Sequence, residues 1–257
     1  HSTKKFNYFR FYNKIKENSV SQILGRINSV ETMGLVDGPG IRYVVFCQGC
    51  QLRCLYCHNP ETWDEDGKCI YISPEELFEK IKRYKNYYGE EGGVTFSGGE
   101  PLLQPDFLKE CLKLCKEEGI NTALDTAGGG FGNYEEILNL TDLVILDIKA
   151  VKEDDYKFIT GQPMNRFKKF LEDCQRLNKR LWLRQVIVPK INDTIENIKE
   201  LKDFISKLKN VEKVELLPYK TIGVHKYKDL KIKYRLENVP DMDENKCKEL
   251  EKELLKK

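Results

Sequence analysis

The chain has 257 residues, of which 40% are hydrophobic and 33% are charged. This composition excludes a chain that is disordered as a whole. The longest apolar runs, such as residues 143–146, are far shorter than the roughly 20 residues of a membrane-spanning helix. Lysine and arginine total 43 against 41 acidic residues, a net charge of +2. No chain-wide basic field therefore favours a nucleic-acid partner. The length fits a single α/β barrel of about 200–250 residues.

The amino-terminal segment differs in composition from the rest of the chain. Five basic residues lie within positions 4–16, against one acid, Glu17. We predict an extension over residues 1–24 and one folded domain over residues 25–257. A basic, acid-poor start that contains serine is typical of an organellar transit segment, although a leader helix on a cytoplasmic protein has the same composition.

From about residue 41, short β-rich runs alternate with longer helical patterns. This alternation predicts a parallel sheet with crossover helices. Six strands are predicted, over residues 41–47, 94–96, 122–125, 143–148, 181–188 and 214–217.

Amphipathic helices are predicted between and after these strands. Ser73 and Glu76 have the pattern of a capping box, with Pro74 at the first helical position. Apolar stripes at helical spacing predict further helices around residues 107–115, 167–174, 198–208 and from residue 241. Three cysteines fall on these stripes and are predicted to be core residues: Cys111, Cys115 and Cys174.

The nine cysteines include one dense cluster. Cys47, Cys50, Cys54 and Cys57 fall within eleven residues, while the other five are scattered. A cluster within an odd total suits a metal site in a reducing compartment better than a disulfide framework. Because Cys50-x3-Cys54-x2-Cys57 follows the first predicted strand, we expect it at the carboxyl edge of the sheet, where barrel enzymes place their sites.

Three kinds of centre compete for this cluster. An iron-sulfur cubane normally takes four thiolates, so Cys50, Cys54 and Cys57 alone would leave one iron open to a small chelating ligand. Cys47 could instead join them in two zinc half-sites, although the three residues between the pairs are few for that arrangement. A plain electron carrier has different spacings and a much smaller chain. The open cluster is favoured. Cys47 distinguishes the two centres, because a zinc site would require it and the three-cysteine cluster would not.

The motif and its surroundings resemble a known family. Cys50-x3-Cys54-Leu55-Tyr56-Cys57 is similar to the signature of the radical S-adenosylmethionine (SAM) enzymes. Residues 37–42 and 48–63 resemble the glycyl-radical activating enzymes, above all those that activate pyruvate formate-lyase. The similarity runs from about residue 25 to residue 227, with later motifs at residues 97–100, 124–126, 146–149, 183–184 and 216–219. It implies a radical SAM fold, a partial (β/α)6 TIM-like barrel that is open at one side.

The resemblance also implies the cofactors and their contacts. A [4Fe-4S] cluster would be held by Cys50, Cys54 and Cys57, and SAM would chelate its open iron. Residues at the strand ends would contact SAM, namely Tyr56, Cys57, His58, Gly98, Gly99, Glu100, Asp125, Thr126, Asp147, Ile148, Lys149, Arg184 and Lys220.

The resemblance implies a monovalent cation beside the cofactor carboxylate. Its ligands would be Asp125, Thr126 and Asp147, with the backbone carbonyl of Ile145. Lys220 departs from the family pattern, which has a histidine that contacts the cofactor. Lysine donates hydrogen bonds but cannot accept them, so this contact is expected to differ.

Asp37 and Arg184 are the implied catalytic residues. Arg184 is charged within an otherwise apolar strand, and a buried arginine needs an anionic partner. By resemblance, Asp37 or the substrate peptide would provide it. The implied reaction is reductive cleavage of SAM, followed by removal of a hydrogen from a backbone glycine Cα of a partner protein.

The partners are implied by the same resemblance. The partner would be a glycyl radical enzyme of the pyruvate formate-lyase type, with activation of a different glycyl radical enzyme as the alternative. A flavodoxin or ferredoxin would supply the electron. The protein is expected to be a monomer in the cytoplasm, or in an organelle of an anaerobic eukaryote if the extension is a transit segment.

Overall fold

A computed structural model describes residues 23–256. The predicted extension over residues 1–24 lies outside this range, except for its last two residues. Within this part of the chain, eight β-strands form one sheet, with the bounds β1 Gly25–Gly34, β2 Arg42–Cys47, β3 Ile70–Ile72, β4 Gly93–Gly98, β5 Asn121–Thr126, β6 Leu143–Asp147, β7 Leu181–Ile187 and β8 Val211–Pro218. Their order across the sheet is β3-β1-β2-β4-β5-β6-β7-β8.

Six neighbouring strands, from β2 through β4 to β8, run parallel to one another. They are the six strands that the sequence predicts, with ends that differ by no more than three residues. The edges of the sheet are β3 and β8, so the sheet does not close on itself. The α/β class and the incomplete six-stranded parallel barrel are therefore confirmed.

Two further strands, β1 and β3, were not predicted. β1 pairs antiparallel with both β2 and β3. Its register with β2 shifts between Ile27 and Ser29 and again between Glu31 and Gly34. Such bulges interrupt the two-residue alternation by which a strand is recognised in a sequence. β3 has only three residues and is therefore too short to give a pattern.

Helices connect the parallel strands, as predicted. Their bounds are α1 Pro74–Lys82, α2 Pro105–Glu117, α3 Glu135–Leu140, α4 Glu153–Thr160, α5 Asn165–Arg176, α6 Ile195–Ile205, α7 Val224–Asp229 and α8 Glu244–Leu255, with 3₁₀ turns at Pro60–Thr62, Lys85–Tyr87 and Pro101–Leu103. The capping box at the start of α1 is present, because Ser73 accepts from the Glu76 amide and Glu76 accepts from the Ser73 amide. α3, α4 and α7 have six to eight residues each and were not predicted.

The two faces of the sheet have different surroundings. One face packs against the helices in the main core, which contains the three cysteines predicted to lie there. Because side chains alternate along a strand, the other face carries its own residues, a small cluster of Ala123, Leu143, Ile145 and Trp182. Two residues further along β5, β6 and β7, this inner face carries Asp125, Asp147 and Arg184.

A fully buried arginine, Arg42, begins β2. Its guanidinium donates to Thr95 Oγ1 at 3.0 Å, to Asn121 Oδ1 at 2.8 Å and to the Val94 carbonyl at 2.6 Å. Burial lowers the pKa of Arg42 to about 10. These bonds tie the start of β2 to β4 and β5 and thereby fix the loop that precedes it. Among residues 23–256, the helices are all too short or too polar to cross a membrane.

Candidate active site

The carboxyl ends of the parallel strands bring most of the predicted site residues to one edge of the sheet. The cysteine loop follows β2, Gly98 ends β4, Thr126 ends β5 and Asp147 ends β6. The backbone amide of Gly99 donates to the Cys47 carbonyl at 2.9 Å, which joins the first two of these loops directly. The predicted convergence at the carboxyl edge is present in the structure.

The cysteine loop rests on the end of α4. The amide of Arg53 donates to the Thr160 carbonyl at 2.7 Å, and the amide of Leu55 donates to the Ile159 carbonyl at 3.0 Å. Cys54 is buried between these contacts, while Cys50 and Cys57 are half-buried. The loop is thus held by its backbone, which leaves its thiols available to a ligand.

Residues after β8 hold the loop from the other side. The Tyr227 hydroxyl donates to the Cys57 carbonyl at 3.0 Å. Lys226 forms an ion pair with Glu61 at 2.5 Å and donates to Asn59 Oδ1 at 3.0 Å. This clamp was not predicted from the sequence, where its only signal is a short segment rich in lysine.

The three thiols of the loop are partly or fully buried, and Lys149 lies close to two of them. Burial raises the pKa of Cys50 and Cys57, and raises the pKa of Cys54 to about 11. Lys149 opposes this rise at Cys54 and Cys57. Metal binding deprotonates cysteine thiols, so the free loop holds neutral thiols that an iron centre would convert to thiolates.

Cys47 is separate from the other three cysteines of the motif. Its side chain is 1% exposed and lies near Cys111 of α2, and burial raises its pKa to about 12. Within residues 23–256, no three His, Cys, Asp or Glu side chains are arranged to hold one metal ion. A zinc site needs such a convergent set, whereas the thiolates of a cubane bind different irons.

Gly98 and Gly99 are required by the packing of two backbones. A Cβ on Gly98, whose φ is +109°, would lie 2.3 Å from the Cys47 nitrogen, and a Cβ on Gly99 would lie 2.2 Å from the Gly49 oxygen. No L side chain fits at either distance. The glycines therefore bring the loop after β4 against the chain that leads into the cysteine loop.

Glu100 ties two loops together. Its buried carboxylate accepts from Thr126 Oγ1 at 2.5 Å, from the Gly129 amide at 3.0 Å and from the Ala127 and Leu102 amides at 3.2 Å. Burial raises the pKa of Glu100 against these hydrogen bonds. The side chains of Glu100 and Thr126 are thus bonded to each other and to the backbone around them.

A polar cluster of Asp125, Asp147, Lys149 and Tyr56 lies beside the thiols. Lys149 Nζ is 2.7 Å from Asp147 Oδ2 and 5.6 Å from the centre of the Tyr56 ring. Burial and the nearby Asp147 raise the pKa of Asp125 to about 6. Burial alone would lower the pKa of Lys149, but Asp147, Tyr56 and Cys54 outweigh it and raise that pKa. These residues therefore form one coupled electrostatic unit.

Three of the predicted SAM-contacting residues make hydrogen bonds that involve backbone groups. They are His58, Lys220 and Ile148. His58 Nε2 lies 2.8 Å from the Lys220 carbonyl, whereas Lys220 Nζ pairs with Glu244 at 2.7 Å. The Lys220 side chain thus engages α8, and its contact with the site passes through its backbone. Ile148 is buried, and its amide donates to the Arg184 carbonyl at 2.7 Å.

In the structure, Arg184 is paired with a residue other than Asp37. Arg184 Nε pairs with Glu215 Oε2 at 2.9 Å, and Nη2 donates to the Val36 carbonyl at 2.6 Å. The reason is register, because Glu215 lies directly opposite Arg184 on β8. Burial raises the pKa of Asp37, and the positive charge of Arg184 opposes the rise. Glu215 is a site residue that was not predicted from the sequence.

Comparison with known proteins identifies the family. The family model described as the radical SAM superfamily matches residues 44–205. The chain belongs to the radical SAM superfamily. Its cofactors are accordingly a [4Fe-4S] cluster and SAM.

Individual relatives place this radical SAM protein more narrowly. It is 56% identical over 233 residues to the pyruvate formate-lyase-activating enzyme of Clostridium pasteurianum, covering 90% of this chain and 98% of that protein. The enzyme of the same name from Staphylococcus epidermidis is 44% identical, with 88% and 93% covered. A crystal structure of a domain of pyruvate-formate lyase-activating enzyme from Bacteroides vulgatus has a TM-score of 0.50 at 26% identity, covering 63% of this chain and 92% of that one. Within the superfamily, this chain belongs to the family of these activating enzymes.

The residues of this radical SAM protein fit its two cofactors. Three thiols in one loop suit a cubane with one open iron. Tyr56 is 5% exposed, and its hydroxyl has no hydrogen-bond partner among the described residues. A buried polar atom without a partner costs free energy, so a ligand that bonds to Tyr56 would relieve that cost.

Proposed function

We propose that this protein activates a glycyl radical enzyme of the pyruvate formate-lyase type. The observation that carries the proposal is the 56% identity to the Clostridium pasteurianum enzyme over 98% of that enzyme's length. When bound, the reduced cluster and SAM supply the radical chemistry that removes a hydrogen from a glycine Cα of the partner. The protein contributes the positioning of the groups and the exclusion of water.

Cys50, Cys54 and Cys57 hold the cluster in this proposal. The cysteine loop and the polar ends of β4 to β6 would together hold SAM. Lys149 is poised to meet the carboxylate of SAM, because it is a buried cation close to Cys54. Asp147 orients Lys149 and is poised to accept from a ribose hydroxyl. The Tyr56 ring and His58 lie along the cysteine loop, where the adenosine would bind.

The loop after β4 acts mainly through its backbone. Gly98 and Gly99 place their peptide groups close to the cysteine loop, where amides and carbonyls bind the amino acid end of SAM. Glu100 holds this loop in place through Thr126 and Gly129. Ile148 and Lys220 contribute backbone groups, since the side chain of Ile148 is in the core and that of Lys220 binds Glu244.

A monovalent cation beside SAM is part of the proposal. Asp125 and Asp147 are neighbours, and burial together with the Asp147 carboxylate raises the pKa of Asp125. A bound cation would remove the repulsion between the two carboxylates. The Thr126 hydroxyl donates to Glu100, so the cation would depend on the two aspartates and on the Ile145 carbonyl.

Arg184 and Asp37 are proposed to act where the substrate glycine enters. Arg184 is 9% exposed and bonds to the loop that carries Asp37. A glycine-containing segment can enter the open side of the sheet because it adopts backbone conformations that other residues cannot. All nine cysteines are free thiols, which supports a reducing compartment, the cytoplasm. The protein is proposed to act there as a monomer.

Electron paramagnetic resonance tests the activation directly. The protein, reconstituted anaerobically with iron and sulfide, is incubated with SAM, dithionite and inactive pyruvate formate-lyase. We expect deoxyadenosine and a glycyl radical signal in equal amounts. Deoxyadenosine without a glycyl signal would contradict the activation while leaving the radical chemistry intact. A parallel sample with a different glycyl radical enzyme tests the alternative partner.

A further inference from the structure

We infer that a cationic surface over the cysteine loop is the docking site for an acidic protein that delivers single electrons. The surface consists of Arg53, Lys68, Lys233 and Arg235, and we call it the cationic patch. The inference rests on the proposed function, because only a reductive activation needs an electron from outside. It goes beyond that function by assigning the residues that receive the donor.

Two adjoining pockets reach the cysteine loop from the surface. One, of about 160 Å³, is lined by Cys54, Trp63 and three cations, Arg53, Lys233 and Arg235, and by no acidic residue. The other, of about 910 Å³, is lined by Cys50 and Lys68 and shares Arg53 and Trp63 with the first. Neither pocket is lined by Tyr56, Asp147 or Lys149, so both are separate from the proposed SAM site.

The cationic patch carries more positive than negative charge. Within residues 23–256, none of its four side chains forms a salt bridge with a carboxylate. Two acids of the larger pocket are already paired, Glu61 with Lys226 and Glu65 with Arg26. Asp64 is the remaining acid there. A surface with an excess of positive charge steers an acidic partner towards it.

The patch is also attached directly to the cysteine loop. The Arg53 guanidinium lies 5.0 Å from the centre of the Trp63 ring and donates to the Cys50 carbonyl at 2.6 Å. Arg235 donates to the Arg53 carbonyl at 2.8 Å. The indole of Trp63 contacts Tyr227, with 5.7 Å between the ring centres, and the Tyr227 hydroxyl donates to the Cys57 carbonyl. Because electron tunnelling weakens steeply with distance, a donor seated here would approach the cluster closely.

The proposed step is the transfer of one electron from the donor to the cluster. The docked donor loses one electron and the cluster gains it, with no bond formed and no proton moved. The donor is therefore a small acidic protein with a one-electron redox centre near its surface. A bacterial flavodoxin is the probe for the experiment.

The test reverses charge at two patch residues, Lys68 and Lys233, whose side chains form no salt bridge with residues 23–256. The double variant Lys68→Glu, Lys233→Glu reverses one charge in each pocket. It keeps Arg53 and Arg235, which contact the cysteine loop. The matched control is Lys113→Glu with Lys207→Glu, two exposed lysines on α2 and just after α6 that form no salt bridge in the described part of the chain. Both variants have the same net charge.

Binding of oxidised flavodoxin to the reconstituted proteins is measured by calorimetry at several salt concentrations. We expect the patch variant to weaken binding at least tenfold at low salt, and the control variant to change it less than twofold. Binding to the unmodified protein should weaken as salt increases. Equal affinity for both variants, or no salt dependence, would overturn the inference. Thermal unfolding of both variants checks that they fold.

Release of deoxyadenosine separates this inference from the proposed function. With dithionite as the reductant, both variants should match the unmodified protein. With reduced flavodoxin, only the patch variant should slow. A protein that releases no deoxyadenosine with dithionite would contradict the function, whatever the binding result. Weaker binding of the patch variant to pyruvate formate-lyase, with flavodoxin binding unchanged, would assign the patch to the substrate and overturn the inference.

Discussion

Arg184 of β7 and Glu215 of β8 face each other across two parallel strands and form an ion pair with 2.9 Å between Nε and Oε2. Their side chains are 10% and 24% exposed. Lys213 also pairs with Glu215, at 2.6 Å. Arg184 extends this pair to the Val36 carbonyl, so the edge strand is connected to the loop that carries Asp37.

Glu215→Gln should destabilise the fold, because it leaves the buried guanidinium of Arg184 without an anionic partner. We expect a loss of about 1–3 kcal/mol in the free energy of unfolding, measured by urea denaturation at pH 7. Glu212→Gln is the matched control, since the pair of Glu212 with Arg180 is more exposed, with side chains 38% and 54% accessible. That pair should contribute about 0–1 kcal/mol. Equal losses in the two variants would contradict the prediction.

The effect of Glu215→Gln should depend on pH. Burial would raise the pKa of Glu215, but hydrogen bonds from Lys213 and Arg184 outweigh it and lower the pKa from its ordinary value of 4.5. A carboxyl whose pKa is lower in the folded state stabilises the fold above the unfolded pKa and loses that contribution as pH falls through the folded pKa. The stability difference between the two proteins should therefore be constant near pH 6–7 and shrink below about pH 4.5. A difference that grows on acidification would count against the ion pair.

The sequence predicts that Arg184 needs an anionic partner but not which residue provides it. The charged residue in an apolar strand was recognised, and so was its need for an anion. The choice between Asp37 and Glu215 depends on the register of β7 against β8, which the sequence does not state. β8 is half exposed along its length, so its pattern does not identify which of its charged residues face inward.

Gly98→Ala should be more harmful than Gly132→Ala. Both glycines have φ of +109°, so an alanine meets a disfavoured φ at either position. A Cβ added at Gly98 would lie 2.3 Å from the Cys47 nitrogen, whereas one added at Gly132 would have nothing within 4 Å. We expect the Gly98 variant to lose at least about 1–3 kcal/mol more than the Gly132 variant, because backbone atoms must move. Equal melting curves for the two variants would refute the close approach of these loops.

The convergence of the strand ends was predictable for a general reason. Parallel strands joined by helices bring their carboxyl ends to one edge, so motifs that follow successive strands must meet there. The supports of the cysteine loop were not predictable. α4 and α7 have eight and six residues, too few for a helical period to stand out. α4 contacts the loop through backbone atoms, whereas α7 contacts it through the side chains of Lys226 and Tyr227.

Cys54→Ala and Cys47→Ala should differ in iron content. Cys54 is one of the three loop thiols beside Lys149, whereas Cys47 lies in the core near Cys111. After anaerobic reconstitution, we expect about four irons per chain in the Cys47 variant and most of this iron lost from the Cys54 variant. Iron and sulfide analysis with the visible spectrum measures the outcome. Loss of iron from the Cys47 variant, with its fold intact by circular dichroism, would bring Cys47 into the metal site.

Lys220→Ala should affect the binding of SAM less than His58→Ala. The Lys220 side chain pairs with Glu244 on the surface, and the contact with His58 uses the Lys220 carbonyl, which alanine retains. We expect the Lys220 variant to change the dissociation constant of SAM less than about twofold. The His58 variant loses the ring that spans the loops after β2 and β8, and one hydrogen bond of about 0.5–1.5 kcal/mol corresponds to about 2–10-fold weaker binding. Calorimetry on the reconstituted proteins measures both constants. A larger loss for Lys220→Ala than for His58→Ala would mean that the lysine side chain itself reaches the cofactor and that its pairing with Glu244 is broken when SAM binds.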